Sequence, residues 1–369
     1  MRLILAQLTD FPEAGRIDIY EYSKALARLG HDVQVIVCAD KADRPLPDGL
    51  AVHALGISTA AGPSNSLRFA SLALQKIQVL HREKPADIVH LFNPAPATYF
   101  LGWRLKRMKK RPKILYDVRT GGIGSGFDSR LINGMAKTAP LFADGIVTLS
   151  SSLFTRLFKA RIVRHAVIPL GVDNARYGAA KLAKKGGSSF VYLGSLGSNR
   201  RLSVMLEAFA SVAAAHPDAR LTLIGTGDQA ENLKELSKKL GLEKYVTFTG
   251  GVPFEQVPGF LAAADIGLSF VPITSWFNPQ PPLKTLEYLA SGLPVVATAT
   301  DSHRELWQVL PPELLRADTA EDFAEGMEFA LAHISTLTPP EFQAAAAPFD
   351  WSAIVRDKLV PFYEELASR

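Results

Sequence analysis

Residues 278–297 read NPQPPLKTLEYLASGLPVVA. The prolines stop just before a helix-length stretch that begins near Leu283, and Gly292 follows that stretch at the position where helices commonly end. A short apolar run at 294–298 comes next, which predicts a helix leading directly into a buried strand. Lys284 and Glu287 are three residues apart and therefore share one face of this helix. They offer a cation for phosphate and a carboxylate for sugar hydroxyls, although a surface salt bridge explains the spacing equally well.

The same alternation of strands and helices extends over nearly the whole chain. The predicted strands are 2–7, 31–37, 88–91, 113–118, 145–149 and 166–168 in the first half and 190–193, 220–224, 246–249, 266–270 and 294–298 in the second. This pattern predicts an α/β protein made of two doubly wound, Rossmann-like domains, whose ligands bind at the carboxyl ends of the strands in the cleft between the domains. A stretch rich in Lys, Gly and Ser at 181–189 separates the halves. We therefore expect domains at 1–180 and 181–350, followed by a terminal helix within 351–369.

Composition limits the class of protein. The chain has 369 residues, of which 47% are hydrophobic and 21% charged, so it can bury two cores and is not disordered. The single cysteine excludes an internal disulfide framework and a Cys-rich zinc site. We find no signal peptide and no apolar run of about 18 residues that would span a membrane. The expected location is therefore the cytoplasm.

Charge is distributed unevenly along the chain. Residues 1–185 hold 28 Lys and Arg against 14 Asp and Glu, whereas residues 186–369 hold 13 against 22. A basic first half predicts an anionic partner. The densest run, RLKRMKKRPK at 104–113, is either a solvated helix end favoured by the helix dipole or a patch for anionic lipid. The run lacks interleaved aromatic residues, so a nucleic-acid partner is not expected.

Two glycine-rich turns follow predicted strands. Gly225 and Gly227 lie at a strand-to-helix turn, where backbone can approach a ligand closely. Ala230 stands where a full dinucleotide fingerprint needs a third glycine, so that motif is only partly met. The run GGIGSG at 121–126 is either a mobile loop over a site or an ordinary surface loop.

Five sequence blocks occur in a characteristic order. They are YLGSL at 192–196 with Arg200 and Arg201, LIGTG at 223–227, VTFTGGVP at 246–253, AAADIGL at 262–268 and LEYLASGLPVVA at 286–297. Together they resemble the family 4 glycosyltransferases of the GT-B fold. IPLGVD at 168–173 resembles the interdomain motif of that family, and Phe11 to Arg16 resembles its N-terminal glycine loop. The helix opening at Trp351 resembles the segment that crosses back to the first domain.

The resemblance implies that a nucleotide-sugar binds the second domain and that Glu287 holds its ribose. The implied donor-binding residues are Gly15, Arg16, Gly194, Ser195, Arg200, Gly225, Gly227, Gly251, Val252, Gln280, Leu283, Lys284, Thr285 and Glu287. Ser195 replaces an arginine of the family, so Arg200 and Lys284 are expected to bind the diphosphate. Pro279 replaces the first glutamate of a Glu-x7-Glu pair, whose role falls to the side-chain amide of Asn278 or Gln280.

The resemblance implies an acceptor site on the first domain, with His90, Asp117 and Arg119 as candidates. Arg119 stands where the family often has a histidine near the transferred sugar. Arginine cannot act as a base, so it either binds an anionic acceptor, stabilises donor phosphate charge, or pairs structurally with Asp117. His90 is either a site residue or a structural histidine, and His303 with Glu305 is placed to reach the donor. We take Arg119, Glu287 and Lys284 as the catalytic candidates.

The function predicted is transfer of a sugar, with retention, from a nucleotide-diphosphate sugar to a saccharide or lipid-linked acceptor such as an envelope polysaccharide precursor. No cofactor or metal is expected, since no His, Asp or Glu spacing resembles a metal site. The basic first half favours peripheral association with the inner face of the cytoplasmic membrane. The alternatives are a nucleotide-sugar epimerase of the same fold and a non-catalytic protein that binds a nucleotide or glycan.

Overall fold

A computed structural model describes residues 1–11, 17–40, 46–60, 62–122, 126–158, 164–178, 187–307 and 310–368. These residues form two α/β units. The first unit comprises Met1–Leu170 together with Trp351–Arg369, and the second comprises Gly171–Asp350.

The first unit is built on a parallel sheet of seven strands. They are β1 (Arg2–Ala6), β2 (Asp32–Val37), β3 (Leu50–Ala54), β4 (Ile88–Phe92), β5 (Lys113–Val118), β6 (Gly145–Thr148) and β7 (Arg164–Val167), in the spatial order β3-β2-β1-β4-β5-β6-β7. The helices are α1 (Ile17–Arg28), α2 (Pro63–Glu83), α3 (Pro96–Leu105), α4 (Phe127–Thr138) and α5 (Ser151–Phe158). Both β1 and β4 are buried along their whole length, as expected for central strands covered on both faces.

The second unit repeats this plan with six parallel strands. They are β8 (Ser189–Leu193), β9 (Arg220–Ile224), β10 (Val246–Gly250), β11 (Ile266–Ser269), β12 (Val295–Thr298) and β13 (Leu315–Arg316), in the order β10-β9-β8-β11-β12-β13. Its helices are α6 (Asn174–Gly178), α7 (Leu202–Ala215), α8 (Ala230–Lys239), α9 (Val257–Ala262), α10 (Leu283–Ala290), α11 (Asp301–Leu306), α12 (Ala320–Ala332) and α13 (Pro339–Ala346). Short 3-10 turns occur at Ser198–Arg200, Phe254–Gln256, Pro312–Leu314 and Ala347–Phe349 in this unit and at Ala139–Leu141 in the first unit. The strand order reverses at β8, so the crevice between β8 and β11 is where a doubly wound sheet binds its ligand.

Residues after the second unit return to the first unit. Helix α14 (Trp351–Ile354) continues through a π-helical segment (Val355–Leu359) into α15 (Val360–Ala367). The Trp351 ring lies 5.6 Å from that of Tyr22 on α1. An added Cβ at Gly145 would lie 2.9 Å from a methyl of Leu366, so β6 and α15 are in close contact.

The two-sheet α/β prediction is confirmed, but two strands were missing from it. β3 lies at the edge of its sheet and is only partly buried, so its residues lack the apolar run of a central strand. β13 has only two residues, which is too short for a detectable pattern.

The division between the units falls earlier in the chain than residue 180. Val172 pairs with Asp350 in a parallel bridge, and its N–H donates to Phe349 O at 2.8 Å. Asn174 donates to Ala346 O at 3.3 Å. These contacts attach residues 171–178 to the second unit, and the stretch 179–186 on which the boundary was predicted lies outside the described residues.

Gly225→Ala tests the close contact of the loops that follow β8 and β9. Gly225 has φ +145°, and an added Cβ would lie 1.8 Å from Gly194 O. Backbone strain and overpacking together are expected to cost at least about 3 kcal/mol. Gly259→Ala is the control, since nothing lies within 4 Å of its added Cβ and alanine in a helix is favoured by up to about 1 kcal/mol. Urea unfolding of both variants checks this, and equal midpoints would contradict it.

Candidate functional site

The loops after β8, β9 and β10 are hydrogen-bonded to one another. Gly194 N–H donates to Ile224 O at 2.9 Å, and Gly225 N–H donates to Gly250 O at 2.9 Å. These loops lie at the carboxyl ends of three adjacent strands. They therefore form one continuous backbone surface beside the crevice where the strand order reverses.

Glycine in these loops is needed for packing between backbones. An added Cβ at Gly227 would lie 2.2 Å from the carbonyl carbon of Leu196. Leu196 N–H donates to Thr226 O at 2.9 Å, so the two loops already touch without any ligand. Gly227, Ser195 and Gly251 are exposed on the resulting surface. The glycines predicted from the turn motif thus lie where the two loops pack against each other, and the N–H of Gly225 is already donated to Gly250 O.

Lys284 and Arg200 are two cations beside this surface. The Lys284 ammonium lies 3.8 Å from the centre of the Tyr192 ring, and an added Cβ at Gly194 would approach it to 3.0 Å. Arg200 lies over the Phe277 ring at 4.4 Å. Burial, and then the positive charge of Arg200, hold the pKa of Lys284 well below its usual value. Two cations on aromatic rings with mutual repulsion are suited to binding an anion.

Glu287 lies one helical turn after Lys284 on α10 and is only 5% exposed. Tyr177 donates its phenolic hydrogen to Glu287 Oε1 at 2.6 Å. Burial raises the pKa of Glu287, while the hydrogen bond from Tyr177 and the charge of Lys284 oppose that rise. The carboxylate accepts hydrogen bonds and donates none when ionised, so it is suited to hydroxyl groups of a ligand.

Thr285 and His303 support α10 from inside the unit. The Thr285 hydroxyl is bonded to His303 Nε2 at 2.9 Å and to the Ser269 hydroxyl at 2.7 Å. His303 Nδ1 donates to Thr298 O at 2.6 Å, and burial lowers the pKa of His303 to about 4. Both ring nitrogens are therefore used internally. The expectation that His303 reaches the donor is wrong, because the side chain is fully buried under the helix.

The segment before α10 contains the two amides considered as replacements for a glutamate at Pro279. The Asn278 amide donates to Asp301 and its oxygen accepts from Asp301 N–H at 3.0 Å. Asn278 is therefore engaged in joining this segment to α11. The Gln280 Nε2 group is buried and finds no hydrogen-bond acceptor among the described residues. Of the two amides, Gln280 is the one left for a ligand.

The first unit contains a buried charged cluster at the carboxyl ends of β4 and β5. Arg119 is 4% exposed; its Nη2 donates to Asp117 Oδ2 at 2.6 Å, and its Nε lies 3.3 Å from Asp18 Oδ2. Burial disfavours the charge of Arg119, but Asp117 and other neighbours outweigh it and raise the pKa. His90 contacts Tyr363 through Nδ1 at 2.5 Å, and burial lowers the pKa of His90. Of the roles considered for Arg119, the geometry matches the structural pair.

Gly15, Arg16 and residues 123–125 lie outside the described residues. Val252, which follows β10, and Leu283, the first residue of α10, are half-buried. Within the described ranges no group of three His, Cys, Asp or Glu is placed to hold a metal ion. In the same part of the chain, no helix has both the length and the apolar character needed to cross a bilayer.

Three side chains of the site were not identified from sequence. Tyr177 is 110 residues from its partner Glu287, and no local pattern connects them. Tyr192 and Phe277 appear in sequence as ordinary apolar residues. Their aromatic rings lie under cations, and that arrangement exists only after the strands and loops have come together.

Comparison with known proteins identifies the class. Over its full length the chain is similar to sucrose-phosphate synthase from Thermosynechococcus elongatus, with TM-score 0.77, 18% identity and coverage of 100% of this chain and 99% of that one. It is also similar to Anabaena Alr3699/HepE, solved in complex with UDP, with TM-score 0.72, 17% identity and full coverage of both chains. The fold is therefore that of the GT-B glycosyltransferases.

Two family models match the sequence itself. Residues 15–171 match the glycosyl transferase 4-like domain, and residues 187–333 match the glycosyl transferases group 1. Glycogen synthase of Mycobacterium tuberculosis is 24% identical over 316 residues, covering 76% of this chain and 73% of that protein. The two models together span most of the chain, which therefore belongs to the glycosyltransferases that they describe.

Glu287→Gln is expected to stabilise the ligand-free protein at neutral pH. Because the folded protein holds the pKa of Glu287 above the ordinary value of 4.5, ionisation costs stability as pH rises from about that value upward. Glutamine retains an oxygen for Tyr177 and carries no charge. The variant should show a higher unfolding midpoint than wild type at pH 7 and little difference at pH 4. A lower midpoint at pH 7 would contradict the raised pKa.

Proposed function

We propose that the protein transfers a sugar, with retention, from a nucleoside-diphosphate sugar held by the second unit. The observation that carries the proposal is the arrangement of Arg200, Lys284 and Glu287 beside the crevice at β8 and β11. Two cations on aromatic rings match a diphosphate, and an acceptor-only carboxylate one helical turn away matches the hydroxyls of a ribose. The UDP in the Anabaena structure supports a nucleotide ligand for this fold.

The chemistry proposed is stabilisation of the leaving nucleoside diphosphate. Negative charge on the diphosphate grows as the glycosidic bond breaks, so cations fixed in advance favour the transition state over the ground state. Arg200 and Lys284 supply that charge, and the amino end of α10 adds its dipole. We propose that these groups act without a metal, and turnover should then be unaffected by EDTA.

We propose that the acceptor binds the first unit, which carries the excess of basic residues. Arg119 cannot serve as a base, and its pairing with Asp117 and Asp18 gives it a different role. It orders the carboxyl end of β5 and places a compact charged cluster there. We therefore propose Arg119 as a structural residue of the acceptor side.

Donor binding is tested with a panel of UDP, GDP, ADP, CMP and their sugar conjugates by thermal shift. A ligand at about 100 times its Kd stabilises the protein by about 2.7 kcal/mol. Arg200→Ala should abolish the shift given by the active nucleotide. Arg201→Ala is the matched control, because that neighbouring arginine is paired with Asp318 at 3.0 Å and is not placed among the donor-binding groups.

Product analysis distinguishes the three candidate activities. A glycosyltransferase consumes one donor molecule for each acceptor molecule that it modifies. An epimerase changes the sugar of the donor when no acceptor is present. Binding of a nucleotide with no turnover under any acceptor condition would favour the non-catalytic alternative, to which Pro279 and the engaged Asn278 lend support. No thermal shift with any nucleotide would overturn the proposal.

Helices α3 and α4 carry an exposed surface of apolar and basic side chains. Its exposed apolar residues, which we call the α3–α4 surface, are Phe100, Trp103, Phe127, Leu131 and Leu141. The helices meet where the Tyr99 hydroxyl bonds that of Thr138 at 2.9 Å. Phe127 is 78% exposed and Trp103 is 44% exposed, although large apolar groups are normally buried.

Basic residues accompany these apolar side chains. Arg107 stacks on the Trp103 ring at 3.5 Å, and the exposed cations of this region are Arg104, Lys106, Arg107, Lys109, Lys110, Arg130 and Lys137. Between 95 and 142 the only exposed carboxylate among the described residues is Asp128. Aromatic side chains enter the interface of a bilayer, and each nearby cation adds on the order of 1 kcal/mol on an anionic surface. We therefore propose that the protein docks on anionic lipid and acts on an acceptor held there.

Vesicle co-sedimentation tests the docking. Wild type should bind vesicles rich in phosphatidylglycerol, bind phosphatidylcholine vesicles far less, and dissociate as salt rises. Replacing Arg107 and Lys110 together by glutamate should weaken binding at least about tenfold. Lys238→Glu with Lys239→Glu, on exposed α8 of the second unit, makes the same charge change elsewhere. Equal loss in both double variants would show that only net charge matters, and binding insensitive to lipid charge would reject the docking.

A further inference from the structure

Tyr177 lies in a helix that the sequence assigns to the first domain, yet its side chain ends at the proposed ribose-binding carboxylate. We propose that Tyr177 is a positioning residue for nucleotide binding, which holds the Glu287 carboxylate so that one oxygen faces the ribose hydroxyls. The proposal rests on the donor site described above. It adds Tyr177 and helix α6 to that site. Their role is to orient the carboxylate and not to neutralise its charge.

The geometry of the pair is well defined. Tyr177 is 1% exposed and Glu287 is 5% exposed, and their oxygens are 2.6 Å apart. A hydrogen bond from a phenol to a carboxylate in such surroundings is strong. Within the described residues Oε1 accepts from Tyr177 while Oε2 takes no hydrogen bond from the protein. The tyrosine therefore fixes the rotation of the carboxylate and leaves Oε2 for a ligand.

The helix that carries Tyr177 is itself fixed. Asp173 Oδ1 accepts from Arg176 N–H at 2.9 Å at the start of α6. The Asn174 amide donates to Ala346 O at 3.3 Å. The phenol thus approaches Glu287 from a rigid support, which is what a positioning role requires.

The charges around Glu287 do not replace this hydrogen bond. Lys284 on α10 and Arg176 on α6 act on the carboxylate only through their fields. The Arg176 guanidinium lies over the Phe254 ring at 3.9 Å, and the Lys284 ammonium lies over Tyr192. Tyr288, the next residue on α10, donates its hydroxyl toward Leu268 O. In the described part of the chain Tyr177 is thus the one hydrogen-bond donor to the carboxylate.

Loss of the phenol should have a pH-dependent effect. The hydrogen bond from Tyr177 favours the ionised form of Glu287 and opposes the rise in pKa that burial causes. In Tyr177→Phe that opposition is gone, so Glu287 takes up a proton at higher pH. A protonated carboxyl accepts fewer hydrogen bonds from the ribose. As the pH is lowered, Tyr177→Phe should therefore begin to lose nucleotide binding at a higher pH than wild type does.

The experiment is calorimetric titration of full-length wild type and Tyr177→Phe with UDP, GDP and ADP between pH 5 and pH 9. We expect Tyr177→Phe to weaken binding of the active nucleotide by about tenfold at pH 7 and to move the acid limb of the affinity profile to higher pH. Tyr245→Phe is the matched control. It removes a phenol from the same unit at a half-buried position whose ring lies under Arg220.

A double-mutant cycle separates positioning from a merely structural effect. In the Glu287→Ala background, Tyr177→Phe should change neither the affinity nor its pH profile further, because the side chain through which it acts is absent. An equal loss in both backgrounds would overturn the proposal. If wild type binds a nucleotide and Tyr177→Phe binds it identically, only the role of Tyr177 is rejected. If wild type binds none of them, the donor site itself is rejected and this role with it.

Discussion

The contact between Gly194 and Gly225 is the constraint on which the site depends. Two backbones approach so closely there that a single methyl group would lie 1.8 Å from a carbonyl oxygen. This approach draws together the loops after β8 and β9, beside the crevice where the strand order reverses. The absence of a side chain at Gly194 also leaves the space that the Lys284 ammonium occupies. The position of the cation therefore follows from the packing of the backbone.

The packing of these loops also determines the surroundings of the charged groups. Lys284 and Arg200 lie near aromatic rings and near each other, and Glu287 is buried with a raised pKa. Burial makes the charged forms of Lys284 and Glu287 less stable in the folded protein than they would be in water. An anionic group on the cations and hydroxyl groups on the carboxylate would lower the cost of burying these charges. The site therefore favours a ligand that carries both. The buried cluster around Arg119 differs, because two carboxylates already surround the cation.

The two sheets and helix α10 could be predicted from the sequence, because their residue patterns follow directly from how they are buried. Central parallel strands are buried on both faces and appear as apolar runs, so both sheets were predicted. Edge strands such as β3 lack that signal. The pattern at 278–297 located α10 with Lys284 and Glu287 on one face. It could not reveal Tyr177, because the hydrogen bond joins residues 110 positions apart. The roles of Arg119 and His90 stayed open for the same reason, since Asp18 lies 101 positions from Arg119 and the contact between His90 and Tyr363 spans 273 positions.

The bridge between Val172 and Asp350 has a consequence for the order of events during synthesis. The second unit begins and ends at neighbouring residues, so it is a continuous insertion within the first unit. All of its strands leave the ribosome before Trp351 does. The first unit, in contrast, obtains the partners of Tyr22 and His90 only when residues 351–369 have been made. The unit that begins first along the chain is therefore completed only after the whole second unit has been made.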